Sequence, residues 1–297
     1  MTTKNTTKNI TERAMLMNVT IHQWTAKRHD KSVSAEVARQ HGSDITMGAY
    51  QKELVTKESL KDISVLAGQI RDTFHRRTLP WLDGGTRILP ADHYFAIMCE
   101  LKELIHKRDA KVAEFCNKWS DIIDEAQKKL NGLFDPADYP AEALLREAFS
   151  VEMTVFPLPS KADFRVNLDN TAELEDIQNQ IDERVNMALE AATRDTWQRI
   201  HDVVAKVSER LHAYKVNDEG KVENPFRDSL IENVRDLVEI LPGLNITGNA
   251  ELATMTEVLQ KGIAAFDAED LRDSDALRNN VAVMADKILE SVGEFLA

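Results

Sequence analysis

Between His75 and Tyr94 the chain reads HRRTLPWLDGGTRILPADHY, which crowds histidine, arginine, aspartate and tryptophan around two prolines and two glycines. The cations His75, Arg76 and Arg77, with Trp81 and Arg87, have the parts to hold a phosphate and stack a base. The same parts suit the acidic surface of a protein partner. As a catalytic signal the stretch is weak, and each residue also has a structural use. Pro80 ends a helix and restricts the residue before it. Asp83-Gly84-Gly85 is turn chemistry, with glycine accepting positive φ. Thr86 to Leu89 reads as a short strand, and Pro90-Ala91-Asp92 opens the next helix. The stretch is therefore expected to be a turn first and a contact surface second.

Other chemistry is sparse. The chain has no P-loop, dinucleotide-binding glycine fingerprint or His-Glu-x-x-His motif. His22 and His29 lie seven apart on an expected strand and face opposite sides. His201 and His212 share a helix face at about 16 Å, too far to share a metal. They read as solvated surface. Glu173, Asp176 and Glu183 sit on a helix without the Glu-x-x-His partner usual in helical carboxylate sites, so no metal, cofactor or catalytic residue is assigned. Cys99 and Cys116 fall about 25 Å apart on one expected helix, which excludes a disulfide between them. Reduced thiols and a cytoplasmic location are the expectation. The N-terminus has no apolar leader and no run is long enough to span a membrane.

The elements that position these residues are mostly helical. Met15, Met17, Val19 and Ile21 alternate as a strand. Lys31 to Gly48 reads as loop. A helix is predicted over about Thr56–Arg76 and a long one over Ala91–Leu130, with Gly132 as its stop. A short helix over Glu142–Phe149 precedes two strands around Val151–Val155 and Phe164–Leu168, read as a hairpin. A second long helix runs from a capping pair, Asn170 and Glu173, to Tyr214 on a near-heptad stripe. The polar stretch Lys215–Pro225 is the expected linker, followed by three helices over about Pro225–Leu241, Ala250–Phe266 and Asp275–Leu296. The fold class is mainly α (α+β): two long antiparallel or coiled-coil-like helices, a small β element and a C-terminal helical bundle. The expected domains are a disordered tail 1–14, a long-helix domain 15–214, the linker 215–225 and an acidic helical region 226–297.

Composition agrees with that picture. Of 297 residues 43% are hydrophobic and 29% charged, with 11 Gly and 8 Pro, enough for a buried core built from long helices. The net charge is −13. From Asn217 onward 7 Lys/Arg stand against 17 Asp/Glu, whereas Met1–Gly48 carries 7 against 4. An acidic C-terminal third is a poor surface for a phosphate backbone.

The segments TLPWLDGGTRILP, LNGLFDPADYP, FPLPSKADFRVNL and PFRDSLIENVRDLVEILPGLNIT follow MLMNVTIHQW in that order. In this the chain resembles an uncharacterised phage and bacterial family, a domain of unknown function. Its members tend to be encoded near a MoxR-type AAA+ ATPase and a von Willebrand factor A-type protein. The resemblance covers about Met15 to Thr247 and carries no catalytic residues. It implies a non-enzymatic interaction or adaptor protein with such a partner, while the long helical stripes also suit the seam of a homo-oligomer. The alternative is a phage single-stranded nucleic-acid binding or annealing protein, which the net charge disfavours. The candidate interaction surface is Arg76, Arg77, Trp81, Asp83, Arg87, Tyr139, Phe164 and Arg165.

Overall fold

The computed structural model describes residues 10–82, 84–160, 171–219 and 221–296. The chain is mainly α (α+β), and it divides into two compact units, each threaded by several segments. The first comprises residues 1–18, 75–95 and 154–297; the second comprises 19–74 and 96–153. The whole of the His75–Tyr94 stretch belongs to the first.

β1 (Ala14–Ile21) lies in a four-stranded sheet of order β4-β5-β1-β6, with β4 at Leu79–Pro80, β5 at Thr86–Pro90 and β6 at Val151–Pro157; of these strands, residues 19–21 and 151–153 count with the second unit and the rest with the first. β1 and β5 are antiparallel, with Met17 opposite Arg87, and Ile88 lies opposite Leu79. The expected alternation on β1 is only half the story: Ala14, Leu16 and Met17 are all buried, so its first half is covered on both faces. β6 joins β1 in this sheet; the expected hairpin partner, Phe164–Leu168, and the cap Asn170 lie outside the described residues. Of the expected disordered tail 1–14, residues 1–9 lie outside the described residues, and the rest is ordered. Residues 10–13 are helical, and Ile10 belongs to the core.

The core of this unit is helical. The 43-residue helix from Thr171 to Ala213 carries the stripe that the sequence displays, but burial begins only at Val185 and continues through Ala188, Ala192, Trp197, Ile200, Val204, Val207 and Leu211. Its antiparallel partner is the helix Asp275–Leu296, as Trp197 stacks on Phe295 at 4.2 Å, Ser208 meets Asp286, and Tyr214 lies under Arg278. The expected pairing of two long helices is thus corrected, because residues 96–130 belong to the core of the other unit. Helices Ser229–Leu244 and Ala250–Lys261 complete the core.

The expected linker, Lys215–Pro225, is no boundary. It is a short antiparallel ladder, Lys215 opposite Glu223 and Val216 opposite Val222, and Asn217 accepts from the backbone of Glu219 and Lys221. Tyr214 and Phe226 touch at 5.3 Å across its base, and the helices on both sides share one core.

The second unit contains the strand pair β2 (Lys27–His29) and β3 (Gln51–Glu53), and helices at Lys31–His41, Lys57–Arg77, Tyr94–Asn117, Trp119–Leu130 and Glu142–Glu147, of which residues 75–77 and 94–95 count with the first unit. Lys31–His41 replaces an expected loop. Asp30 caps its start through Ser32 and Val33, and Gly42 at φ 63° closes its end. The expected helix 91–130 is two helices, because Lys118 leaves the helical conformation at ψ 11°. That break seats Trp119 among Trp24, Phe115 and Tyr139. Asn131, at φ 47°, ends the second helix in place of Gly132. Cys99 is exposed, Cys116 is buried, and both are free thiols. No helix among the described residues is long and apolar enough to cross a membrane.

Candidate functional site: a groove beside a doubly capped helix end

The helix Lys57–Arg77 ends in the trio His75-Arg76-Arg77, and a helix end leaves carbonyls without intrahelical donors. Two guanidinium groups supply those donors. Arg199, from the middle of the 43-residue helix, gives Nη1 to the carbonyl of Arg76 at 2.6 Å. Its Nη2 reaches the carbonyls of His75 at 3.0 Å and Thr78 at 2.8 Å. Its Nε pairs with Asp195, one turn earlier, at 2.8 Å. Arg87, on β5, gives Nε to Thr78 Oγ1 at 2.7 Å and Nη2 to the Thr78 carbonyl at 3.0 Å. Positive charge at the negative end of a helix is favourable. Burial, and the neighbouring Arg199 after it, hold the Arg87 guanidinium below its ordinary value, while Asp195 pulls the other way.

Each residue expected at the contact surface now has a place. Arg76, Arg77, Trp81 and Arg87 come together in the first unit. Arg87 is engaged by the helix end, Arg77 lies 3.9 Å from Glu239, and half-buried Trp81 packs on the core. Tyr139 belongs to the second unit, where its hydroxyl donates to the Leu54 carbonyl at 2.8 Å and its ring meets Trp119 and Phe134. Asp83, Phe164 and Arg165 lie outside the described residues. Neither Gly84 nor Gly85 takes the positive φ expected of the turn; Gly85 instead leaves room for Asn18, whose amide would stand 3.3 Å from an added Cβ. His93 presses against Gly243, where an added Cβ would collide with its ring. Burial, then Arg77, hold that imidazole below its ordinary value.

Beside the capped end lies a groove of about 560 Å³. Its floor is Val203, Leu230, Leu237 and Ile240; Arg76 and Lys206 stand on its rim with Asp202 and Asp236. The long helix contributes 199, 202, 203 and 206, which share one helical face, and Ser229–Leu244 contributes 230, 233, 237 and 240. Those spacings are readable in the sequence; which faces oppose each other is not.

Two polar clusters escaped the sequence reading. In the second unit Lys52, nearly buried, lies 2.7 Å from Asp138 and 3.5 Å from Asp30, and donates to the Leu133 carbonyl at 2.9 Å. In the first, Asp286 accepts from Ser208 and contacts His212 Nε2 at 2.9 Å, so His212 is tied to the neighbouring helix. The carboxylate stands between hydroxyl and imidazole, which is not the nucleophile–base contact that catalysis requires. It is a latch between two helices. Its hydrogen bonds, Ser208 first and His212 second, hold Asp286 below the usual carboxylate range. The stability this supplies is present above the ordinary value of 3.8 and is lost as pH falls below it. Asp286→Asn should therefore flatten the acid limb of stability below about pH 4, measured by urea unfolding at each pH. An acid limb identical to that of the wild type would show that the latch does not contribute.

Among the described residues no group of three or more His, Cys, Asp or Glu is placed to hold a metal ion. The fold and groove define a mainly helical α+β protein with a concave, amphipathic surface in its first unit. Comparison with protein-family models, curated proteins and solved structures yields no match to the chain.

Proposed function

We propose that the chain is a non-enzymatic interaction or adaptor protein that seats an amphipathic segment of a protein partner in the groove of its first unit. The observation that carries this reading is the groove's make-up: an apolar floor under a rim with both signs of charge. Side chains of an amphipathic helix find apolar anchors and opposite charges in such a place. A phosphate backbone wants an excess of cations, and here Asp202 and Asp236 balance Arg76 and Lys206, while the third cation of the lining, Arg199, is paired with Asp195. Trp81 is half-buried against the core and does not line the groove, so it offers no base-stacking face there. The sequence resemblance nominates a MoxR-type AAA+ ATPase or a von Willebrand factor A-type protein as the partner to try first.

The test is a pull-down with the tagged wild type and a Lys206→Glu/Asp236→Lys variant, with nuclease present and partners identified by mass spectrometry. Both changes lie on exposed rim positions, so the fold should persist. A protein held by the wild type and weakened about tenfold or more in the variant, on the order of 1.4 kcal/mol, supports the reading. Partners that vanish with nuclease, together with steeply salt-dependent binding of single-stranded oligonucleotides, would move the assignment to nucleic acid. Recovery of the same chain alone would point to a homo-oligomer.

A further inference from the structure

The interaction reading gives His93 no role, yet its ring is wedged between two other parts of the first unit. It presses on Gly243 in the last turn of the helix Ser229–Leu244, where an added Cβ would fall 1.9 Å from Nε2 and 2.2 Å from Cε1. Glycine at 243 is thus the seat of the imidazole, and a larger residue would expel it. One ring nitrogen is hydrogen-bonded to the backbone of Arg77. The other, Nδ1, is buried and has no hydrogen-bond partner among the described residues.

Such a seat accepts the neutral ring and resists the charged one. A second proton has to sit on Nδ1, where it finds no acceptor, and a buried charged donor left unpaired is costly. Three charged groups face the ring from the elements around it. Arg77 opposes the proton, while Asp92 in the same turn and Glu239, one helical turn before Gly243, favour it. Both carboxylates belong to exposed residues, and Glu239 lies 3.9 Å from Arg77. A protonated ring therefore gains a carboxylate by swinging off Gly243 toward solvent.

The helix end under the ring is weakly held by its own backbone. Pro242 stands inside the helix and has no N–H, so the Val238 carbonyl lacks its usual intrahelical donor. Packing holds the last turn instead: Leu241 and Leu244 are buried in the core, and the His93 ring fills the face at Gly243. The same helix supplies Leu237 and Ile240 to the groove floor, and Arg76, next to Arg77, stands on the groove rim.

We propose that His93 is a proton-operated wedge, which holds the end of the helix Ser229–Leu244 when neutral and releases it when protonated. Release shifts Ile240 and Leu237, so acidification weakens the groove's hold on its occupant; that consequence rests on the interaction reading, whereas the wedge itself does not. Burial, then Arg77, keep the imidazole below its ordinary value of 6.5. The seating is therefore full above that value and is lost as pH falls below it.

The test is hydrogen exchange of the full chain, without a partner and corrected for intrinsic rates, at about pH 8 and about pH 5, on either side of the ordinary histidine value. In the wild type, protection of the amides at 243–246 should fall about tenfold or more at the lower pH, the effect of one unit of differential protonation. The fall should vanish in His93→Gln, which keeps an N–H for the Arg77 backbone and cannot take the proton. Gly243→Ala should show low protection at both pH values, because its methyl group displaces the ring. In Arg77→Met the loss should begin at higher pH, since the cation that opposes protonation is gone. A wild type with no loss, or a loss that persists in His93→Gln, overturns the proposal. So does a His93 ring that titrates at or above 6.5 by proton NMR. Because the exchange is read without a partner, its result stands apart from that of the pull-down.

Discussion

Replacing Lys52 with alanine is expected to lower stability by about 3 kcal/mol, the low end of what breaking a buried ion pair costs. Lys52 leaves only about 6% of its side chain exposed, and its ammonium group serves Asp138, Asp30 and the Leu133 carbonyl at once. It thereby ties the strand Gln51–Glu53 to the cap of the helix Lys31–His41 and to the turn at 136–138. Alanine leaves two little-exposed carboxylates facing one another, with Arg28, 3.4 Å from Asp138, as the remaining cation. The low end applies because a cavity lined by Lys52, Asp30 and Asp138 admits water to all three. Urea unfolding followed by tryptophan fluorescence reads the loss, since Trp24 and Trp119 lie in the core of the same unit. Pairing Lys52→Met with Asp138→Leu should cost less than either change alone. A Lys52→Ala variant within about 0.5 kcal/mol of the wild type, the ordinary surface range, would sink the argument.

The same cluster has a defined pH window. The Asp138 hydrogen bond, more than any other contact, raises Lys52, so its contribution is full below 10.5 and fades as pH climbs above that. Asp30 is lowered to about 2, chiefly by the Ser32 hydroxyl and then the Val33 N–H. Its contribution is present above 3.8 and lost as pH falls toward 2. In Lys52→Ala the alkaline decline should disappear and most of the acid decline should stay, because the Ser32 and Val33 bonds survive.

Periodicity made much of the fold legible. The strand at 14–21, the helix at 57–77 and the long helix ending at Ala213 stand close to where alternation and the 3.6-residue stripe put them. The helix Lys31–His41 was missed although Asp30 and Gly42 announce both its ends, because only Ser34 and Ala38 are buried and no stripe draws the eye. The break at Lys118 had no breaker residue to signal it; the aromatic cluster around Trp119 sets it. The polar run 215–225 looked like a linker because loop composition does not distinguish a free tether from a turn clasped by Tyr214 and Phe226. Function-bearing contacts were the least legible. Arg199 meets Thr78 from 121 residues away and Lys52 meets Leu133 from 81. Local pattern carries no information about which surface Arg or Lys will be recruited across such distances.

The reading of His75–Tyr94 as a turn before a contact surface leads to the sharpest test of the candidate site. Arg199→Ala should destabilise the chain by about 2–4 kcal/mol, since it strips donors from carbonyls at 75, 76 and 78 and leaves Asp195 without its partner. Lysine should recover less than half of that. It restores positive charge at the helix end, worth about 0.3–1 kcal/mol, but not the planar fork that reaches several acceptors at once. Arg87 serves the same Thr78 carbonyl and approaches that of His75. Each arginine therefore partly covers for the other, and the double variant Arg87→Ala/Arg199→Ala should cost more than the two single changes added together. Relief of repulsion between the two guanidiniums works against that, but Asp195 already offsets part of the repulsion. A double-mutant cycle by chemical unfolding decides the matter. A coupling of zero or of the opposite sign would mean that the two arginines do not share the helix end, and that the groove wall at His75 and Arg76 rests on something else.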